Sequence, residues 1–206
     1  MDKIAAKYNE LCLTPSDINE HLPTLFKYAS ECESIIELGV RGVVSTYAFL
    51  NGLLNNGRSS RKLLMNDIDP CDISEVERLT TGLDIKIDHA WINDLELEIK
   101  ENYDMTFIDT WHVYGQLKRE LAKYSQVTNK YIIMHDTTID GVHGETIRWM
   151  GAGSAEQQSK DTGIPVDEIL KGLIPAITEF LESNKNWKIR QVYSNNNGLT
   201  ILERTD

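Results

Sequence analysis

Residues 34–46 read SIIELGVRGVVST: a short apolar run, a turn carrying two glycines, then a segment that resumes helical spacing through Val43, Tyr47, Leu50 and Leu54. This strand–glycine–helix unit decides the fold, because the alternation recurs downstream. Further strands are expected at 62–67 (KLLMND), 83–87 (LDIKI), 105–109 (MTFID) and 131–135 (YIIMH), with helical stretches at 72–81 and 113–124. Short apolar strands alternating with amphipathic helices specify a parallel sheet covered on both faces. Upstream, residues 2–30 read as helices interrupted by the turn Thr14-Pro15-Ser16-Asp17. Downstream, Val166, Ile169, Leu170, Leu173, Ile174, Ile177, Phe180 and Leu181 form a long helical stripe, with Pro175 as the expected kink or break. Residues 187–193 and 199–202 flank Ser194-Asn195-Asn196-Asn197-Gly198, which predicts a hairpin and an antiparallel end to the sheet. The expectation is one α/β domain over 1–206, with a helical cap at 1–33 and a lid at 137–165.

Composition narrows the partners. The 206 residues carry 32 acidic and 21 basic side chains, a formal net charge of −11. Such a surface repels phosphate backbones and anionic lipid, which argues against nucleic acid and membrane surfaces. No apolar run approaches the roughly 20 residues of a membrane span. The N-terminus has charges where a signal peptide needs an apolar stretch. Cys12, Cys32 and Cys71 are too few and scattered for a disulfide framework or zinc cluster, so a reducing, cytoplasmic setting is expected.

In open α/β sheets, ligands bind beyond the carboxyl ends of the strands. The first strand ends in Glu37-Leu38-Gly39-Val40-Arg41-Gly42, and Ser45 and Thr46 open the following helix. Glycines there let a ligand approach the backbone, and a helix N-terminus offers free N–H groups. The second strand ends in Asn66-Asp67-Ile68-Asp69-Pro70, where a carboxylate can accept ribose hydroxyls or cap a turn. The fourth ends in Asp109-Thr110-Trp111-His112 and the fifth in His135-Asp136-Thr137. Singly, each of these residues reads as a capping aspartate or a hydrogen-bonded histidine. Together, two carboxylates beside an imidazole can hold a hard divalent cation or tune the histidine as a general base.

The pieces IIELGVRGVVST (35–46), MNDIDP (65–70), YDMTFIDTWHVYGQLKREL (103–121), YIIMHDT (131–137) and GLTILER (198–204), in this order, resemble the class I S-adenosylmethionine-dependent methyltransferases. The likeness is strongest to the metal-dependent O-methyltransferases of the catechol type and of the macrolide-sugar and cephalosporin-hydroxylase-like group. It implies a Rossmann-like, doubly wound, mostly parallel seven-stranded sheet with a C-terminal antiparallel hairpin. It further implies that Glu37, Gly39, Arg41 and Ser45 line the methionine side of the cofactor. Asp67 would take the ribose, Asp88, His89 and Ala90 would lie by the adenine, and Asp109 would border the cofactor. An Asp-x-x-His motif in the sugar-methylating relatives matches Asp109 and His112, with His112 as base. Asp109, Asp136 and His135 would form the metal set, for Mg²⁺ or Mn²⁺, with His135 standing where those relatives carry an acid. The family's E-x-G-x-x-x-G loop has its second glycine at the position of Val43, beside Gly42.

The implied reaction is in-line methyl transfer to a hydroxyl, which needs a base at contact distance or a cation that acidifies the acceptor. The polar, glycine-rich stretch 137–165 is the expected acceptor side, with Trp111, His143, Arg148 and Trp149 as candidate contacts. A polar lid and the Asp-x-x-His match favour a small-molecule or glycan acceptor over a catechol. Three competing readings stay open: a catechol-type O-methyltransferase, a nicotinamide-dependent reductase, and a non-catalytic cofactor-binding module. The reductase lacks its GxGxxG and Tyr-x-x-x-Lys signals. A homo-oligomer is compatible with the sequence, which leaves oligomeric state open.

Overall fold

The computed structural model describes residues 2–205. In chain order the elements are α1 (Asp2–Leu13), α2 (Leu22–Ala29), β1 (Ser34–Leu38), α3 (Ser45–Asn55), β2 (Arg61–Asp67), α4 (Ser74–Thr80), β3 (Ile85–Trp91) and β4 (Tyr103–Ile108). They continue with α5 (Tyr114–Tyr124), β5 (Thr128–His135), α6 (Glu145–Trp149), α7 (Ala155–Thr162), α8 (Val166–Leu170), α9 (Leu173–Ser183), β6 (Trp187–Tyr193) and β7 (Leu199–Arg204). The seven strands form one sheet in the order β3-β2-β1-β4-β5-β7-β6. The first five run parallel, and β7 is antiparallel to both β5 and β6. This is the doubly wound sheet with a C-terminal hairpin that the sequence predicts.

Alternation along β1 explains the two-sided core. Ile35 points into an apolar layer with α1–α4, together with Phe49, Met65, Val76 and Phe107. Ile36 and Leu38 point to the opposite layer, under Leu117, Leu121, Ile177 and Phe180 of α5 and α9. The order in which successive strands are added reverses between the parallel neighbours β1 and β4, whose carboxyl ends therefore frame a crevice between the two helical layers.

Two expectations are corrected. The C-terminal stripe breaks at 171–172, between α8 and α9, and not at Pro175, which sits in the first turn of α9 where its missing N–H is no loss. A Cβ at Gly172 would meet the Asp140 carbonyl at 2.3 Å, so close packing dictates the break. The third strand starts later and runs further than 83–87, because β3 follows β2 in register as far as Asp67↔Trp91. Within residues 137–165, α6 and α7 form, held by a small apolar cluster of Val113, Ala155, Ile164 and Ile169. No helix among the described residues is long and apolar enough to cross a membrane.

Candidate active site

A cavity of about 710 Å³ opens at the carboxyl ends of β1, β2 and β4. Gly39 makes that convergence possible. Its φ of +86° suits glycine, and a Cβ there would lie 1.9 Å from the Asp109 carbonyl oxygen. The loop beyond is pinned by Asp67, whose Oδ2 accepts from the backbone N–H groups of Val40 and Arg41, both at 2.9 Å. Val43 holds a φ of +60°, so a β-branched residue occupies a left-handed position that favours glycine. Arg41 reaches across the cavity mouth to Asp17 at 2.5 Å.

Glu37 does not line the cavity. It is fully buried on the α3 side, where Ser45 Oγ (2.5 Å) and Thr46 Oγ1 (2.8 Å) donate to its two oxygens. Burial pushes its pKa up to about 8 against those hydrogen bonds, which tie α3 to β1. Asp88, His89 and Ala90 are likewise away from the cavity. Asp88 pairs with Lys86 (2.5 Å) and His89 stacks on Trp91 within β3. Because β3 extends so far, the cavity wall there is Asn93, Asp94 and Leu95.

At the end of β4, Asp109 Oδ1 lies 3.1 Å from His112 Nε2 and 3.2 Å from His135 Nδ1. Burial opposes its charge, but the two imidazoles outweigh burial and hold Asp109 well below the usual carboxylate range. His112 Nδ1 lies 3.1 Å from Asp136 Oδ2, 3.3 Å from Asp140 Oδ2 and 3.2 Å from Glu145 Oε2, aligned with none for a good hydrogen bond. Burial lowers the histidine's pKa, yet Asp109, Asp140 and Glu145 overcome it and keep His112 well above 6.5. Burial raises Asp136, partly countered by His112 and His135. Asp136 has a strained φ of +55°, and its Oδ1 is buried with no hydrogen-bond partner among the described residues. Arg148 clamps Asp140 from Nε (3.0 Å) and Nη2 (2.5 Å).

Asp140 and Glu145 are absent from the sequence reading. One signal was available: Asp136 and Asp140 are four apart, and the Asp140 N–H bonds the Asp136 carbonyl (3.0 Å), so a single turn stacks them on one side. Of the acceptor candidates, Trp111 lines the cavity. His143, Arg148 and Trp149 do not: His143 bridges to Lys171, and Trp149 is 71% exposed beneath the Arg148 guanidinium.

Eight carboxyl side chains (Asp17, Asp67, Asp69, Asp72, Asp94, Asp109, Asp136, Glu145) line the cavity with only Arg41 and His112 as basic companions. The wall therefore favours a cationic ligand. Asp109, His112 and Asp136 bring ligand atoms within 4.8 Å of one another, and the partnerless Asp136 oxygen fits a hard cation. His135, which the resemblance places among the metal ligands, has its Nε2 on the Asn196 carbonyl and its Nδ1 on Asp109, both at 3.2 Å.

At the opposite end, buried Asp94 and Glu120 face each other. Gln116 Nε2 donates to one oxygen of each at 2.9 Å, and Thr110 donates to Glu120. Their remaining oxygens, Asp94 Oδ2 and Glu120 Oε2, have no donor among the described residues, and burial raises both carboxyls. The folded pair thus binds more protons than the unfolded chain, whose carboxyls titrate near ~4. Its stabilisation is complete below that pH and is lost as pH rises through the folded pKa. Thermal unfolding followed across pH is expected to show this decline, and Glu120→Gln, which keeps a donor toward Asp94, is expected to flatten it.

No family model matches the chain, and no curated protein matches it. Solved structures do. The N-methyltransferase NodS from Bradyrhizobium japonicum WM9 superposes with a TM-score of 0.60 at 13% identity, over 92% of this chain and 97% of that one. The O-methyltransferase TomG from Streptomyces achromogenes, involved in tomaymycin synthesis and solved with S-adenosylmethionine, gives 0.58 at 13% identity over 100% and 89%. An O-methyltransferase from Bacillus cereus in complex with S-adenosylhomocysteine gives 0.56 at 12%, over 98% and 89%. The chain has the class I methyltransferase fold.

Proposed function

We propose that this protein is an S-adenosylmethionine-dependent O-methyltransferase whose acceptor is a hydroxyl of a sugar, glycan or related polyhydroxylated small molecule. The observation that carries the reading is the Asp109–His112 pair (3.1 Å), set where β1 and β4 meet in an acid-lined cavity. Neighbours of the same fold bind S-adenosylmethionine or S-adenosylhomocysteine, as TomG and the Bacillus cereus enzyme do.

When bound, the cofactor supplies an electrophilic methyl group on a sulfonium, already activated for transfer. The protein's work is alignment and proton removal. Asp67 keeps the 39–44 loop in shape, and Gly39 lets the backbone approach. His112 takes the acceptor's proton at Nδ1, the ring nitrogen without a hydrogen-bond partner among the described residues, as the oxygen–carbon bond forms, and Asp109, at Nε2, keeps the ring aimed and stabilises the imidazolium. A divalent cation, Mg²⁺ or Mn²⁺, held by Asp109 and Asp136 would acidify the hydroxyl. The 137–165 segment serves as the acceptor-side lid, with Glu145 of α6 as its contribution to the site and Trp111 as the apolar face for a sugar ring.

The test is calorimetric titration with S-adenosylmethionine, with and without Mg²⁺ or Mn²⁺, followed by methyl transfer to a panel of sugars and catechols in the presence and absence of chelator. Binding followed by transfer to a polyhydroxylated acceptor is expected. Failure to bind the cofactor overturns the reading. Binding without transfer to any acceptor favours a non-catalytic module, and preference for catechols overturns the sugar assignment.

A further inference from the structure

The β6–β7 turn, Asn195-Asn196-Asn197-Gly198, reads in sequence as a hairpin turn only. In the fold it is a junction. Because β7 pairs with β5 at His135↔Leu199, the turn lies over the carboxyl end of β5, beside the candidate site. The Asn196 carbonyl lies 3.2 Å from His135 Nε2 and 3.1 Å from His21 Nε2. A carbonyl oxygen only accepts, so His135 Nε2 carries a hydrogen and the ring is held by its far edge. Its other nitrogen then faces Asp109 Oδ1 (3.2 Å), the same oxygen that meets His112.

The Asn196 side chain faces the other way. Its Nδ2 donates to the Ser16 carbonyl (2.9 Å), and its Oδ1 accepts from the Glu20 N–H (3.0 Å). Between those two residues lie Asp17 and Ile18, both on the cavity wall, with Asp17 paired to Arg41 across the mouth. The hairpin itself is fastened to the β5 end without Asn196, through the Asn197 carbonyl and the N–H groups of Thr138 (3.0 Å) and Ile139 (2.9 Å). Asn196 holds a φ of +44°, a conformation that asparagine and glycine tolerate and alanine does not.

We propose that Asn196 is a positioning residue with two separable roles: its backbone carbonyl aims His135 at Asp109, and its side chain latches residues 16–20 over the cofactor cavity. The proposal rests on the methyltransferase reading for its kinetic consequences only.

Three variants separate the roles. Asn196→Gly keeps the left-handed backbone and deletes the amide. With both of its hydrogen bonds to residues 16–20 lost, a KM for S-adenosylmethionine roughly 10-fold higher is expected. Hydrogen exchange at residues 16–20 is expected to quicken in the same variant. Asn196→Ala also strains the left-handed backbone, and is expected to lower kcat about 10-fold beyond the glycine variant. It should also weaken the protection of the His135 Nε2–H seen by NMR, which the glycine variant retains. Asn196→Asp keeps the acceptor but sets an oxygen against the Ser16 carbonyl, and should reproduce the KM rise if either other variant misfolds.

Wild-type KM, kcat and exchange rates in all three variants, with only a lowered Tm, would overturn the proposal. Equal kcat and equal His135 protection in the glycine and alanine variants would overturn the carbonyl role. Exchange and NMR are read on the unliganded protein. A protein that methylates nothing would therefore defeat the functional reading while these two measurements still decide the latch.

Discussion

His112→Gln is expected to lower methyl-transfer turnover by roughly 10²–10⁴-fold while leaving S-adenosylmethionine binding within a few-fold of wild type. The cavity extends mainly along β1, β2 and the loop after β3, whereas His112 stands at its β4 margin among carboxylates. Loss of binding in step with loss of turnover would mean that His112 builds the cavity instead of moving a proton.

The pH dependence has a definite sign. In the unliganded protein, Asp109, Asp140 and Glu145 hold the His112 pKa well above 6.5 despite burial, so the charged ring, which cannot accept a proton, persists to higher pH than in a free imidazole. Wild-type kcat/KM should therefore climb with pH toward that raised pKa, and the residual rate of the variant should lack this limb. Stability runs the other way. A histidine whose folded pKa is raised contributes fully below about 6.5 and loses its contribution as pH rises through the folded value. Alkaline conditions should thus activate the wild-type enzyme while making it easier to unfold. Parallel pH–activity profiles in the two proteins would remove His112 from the base role.

Gly39→Ala should have the largest effect on stability. Its φ of +86° strains any side chain by roughly 1–2 kcal/mol. The clash is the greater part: the added Cβ would sit 1.9 Å from the Asp109 carbonyl oxygen and 2.6 Å from its carbon. Both are backbone atoms at the end of a central strand, tied by the Asp109 N–H to the Leu38 carbonyl at 2.8 Å. No flexible side chain is available to yield. A loss of roughly 4 kcal/mol or more is expected, at the far end of what single substitutions do. At about 2–4 °C per kcal/mol for a chain of this size, thermal unfolding should fall by about 10 °C or more. Any protein that remains folded must displace Asp109, and turnover should fall with it. A Tm within 2–3 °C of wild type, roughly 1 kcal/mol, would show that the β1 and β4 ends can separate cheaply.

The fold was legible in local pattern. Apolar runs of about five residues ending in Gly39, Asp67, Asp109 and His135, with helical spacing between them, leave a parallel sheet as the consistent solution. The hairpin was legible for the same reason, since Asn196 and Asn197 announce left-handed backbone. Site residues were legible where strand ends carried them: Gly39, Asp67, Asp109, His112 and Asp136 all line the cavity. Glu37 and 88–90 fell outside it for a geometric reason. A one-residue step along a strand turns a side chain to the other face, and β3 extends four residues beyond its apolar pattern because the neighbouring strand offers hydrogen bonds.

The remainder came from contacts between segments far apart in the chain. Asp140 and Glu145 meet His112 only because 137–149 folds back across β4, and Asp94 meets Glu120 only across the gap between the β3 exit and α5. Asn196 reaches residues 175 positions away and more, for which no local periodicity exists. The sequence by itself determined the order of strands and helices and the acids at the strand ends, because these follow from local propensity and burial. Tertiary structure alone decided the protonation and aim of those groups, because a pKa and a hydrogen bond depend on which distant side chains share the same buried, low-dielectric space.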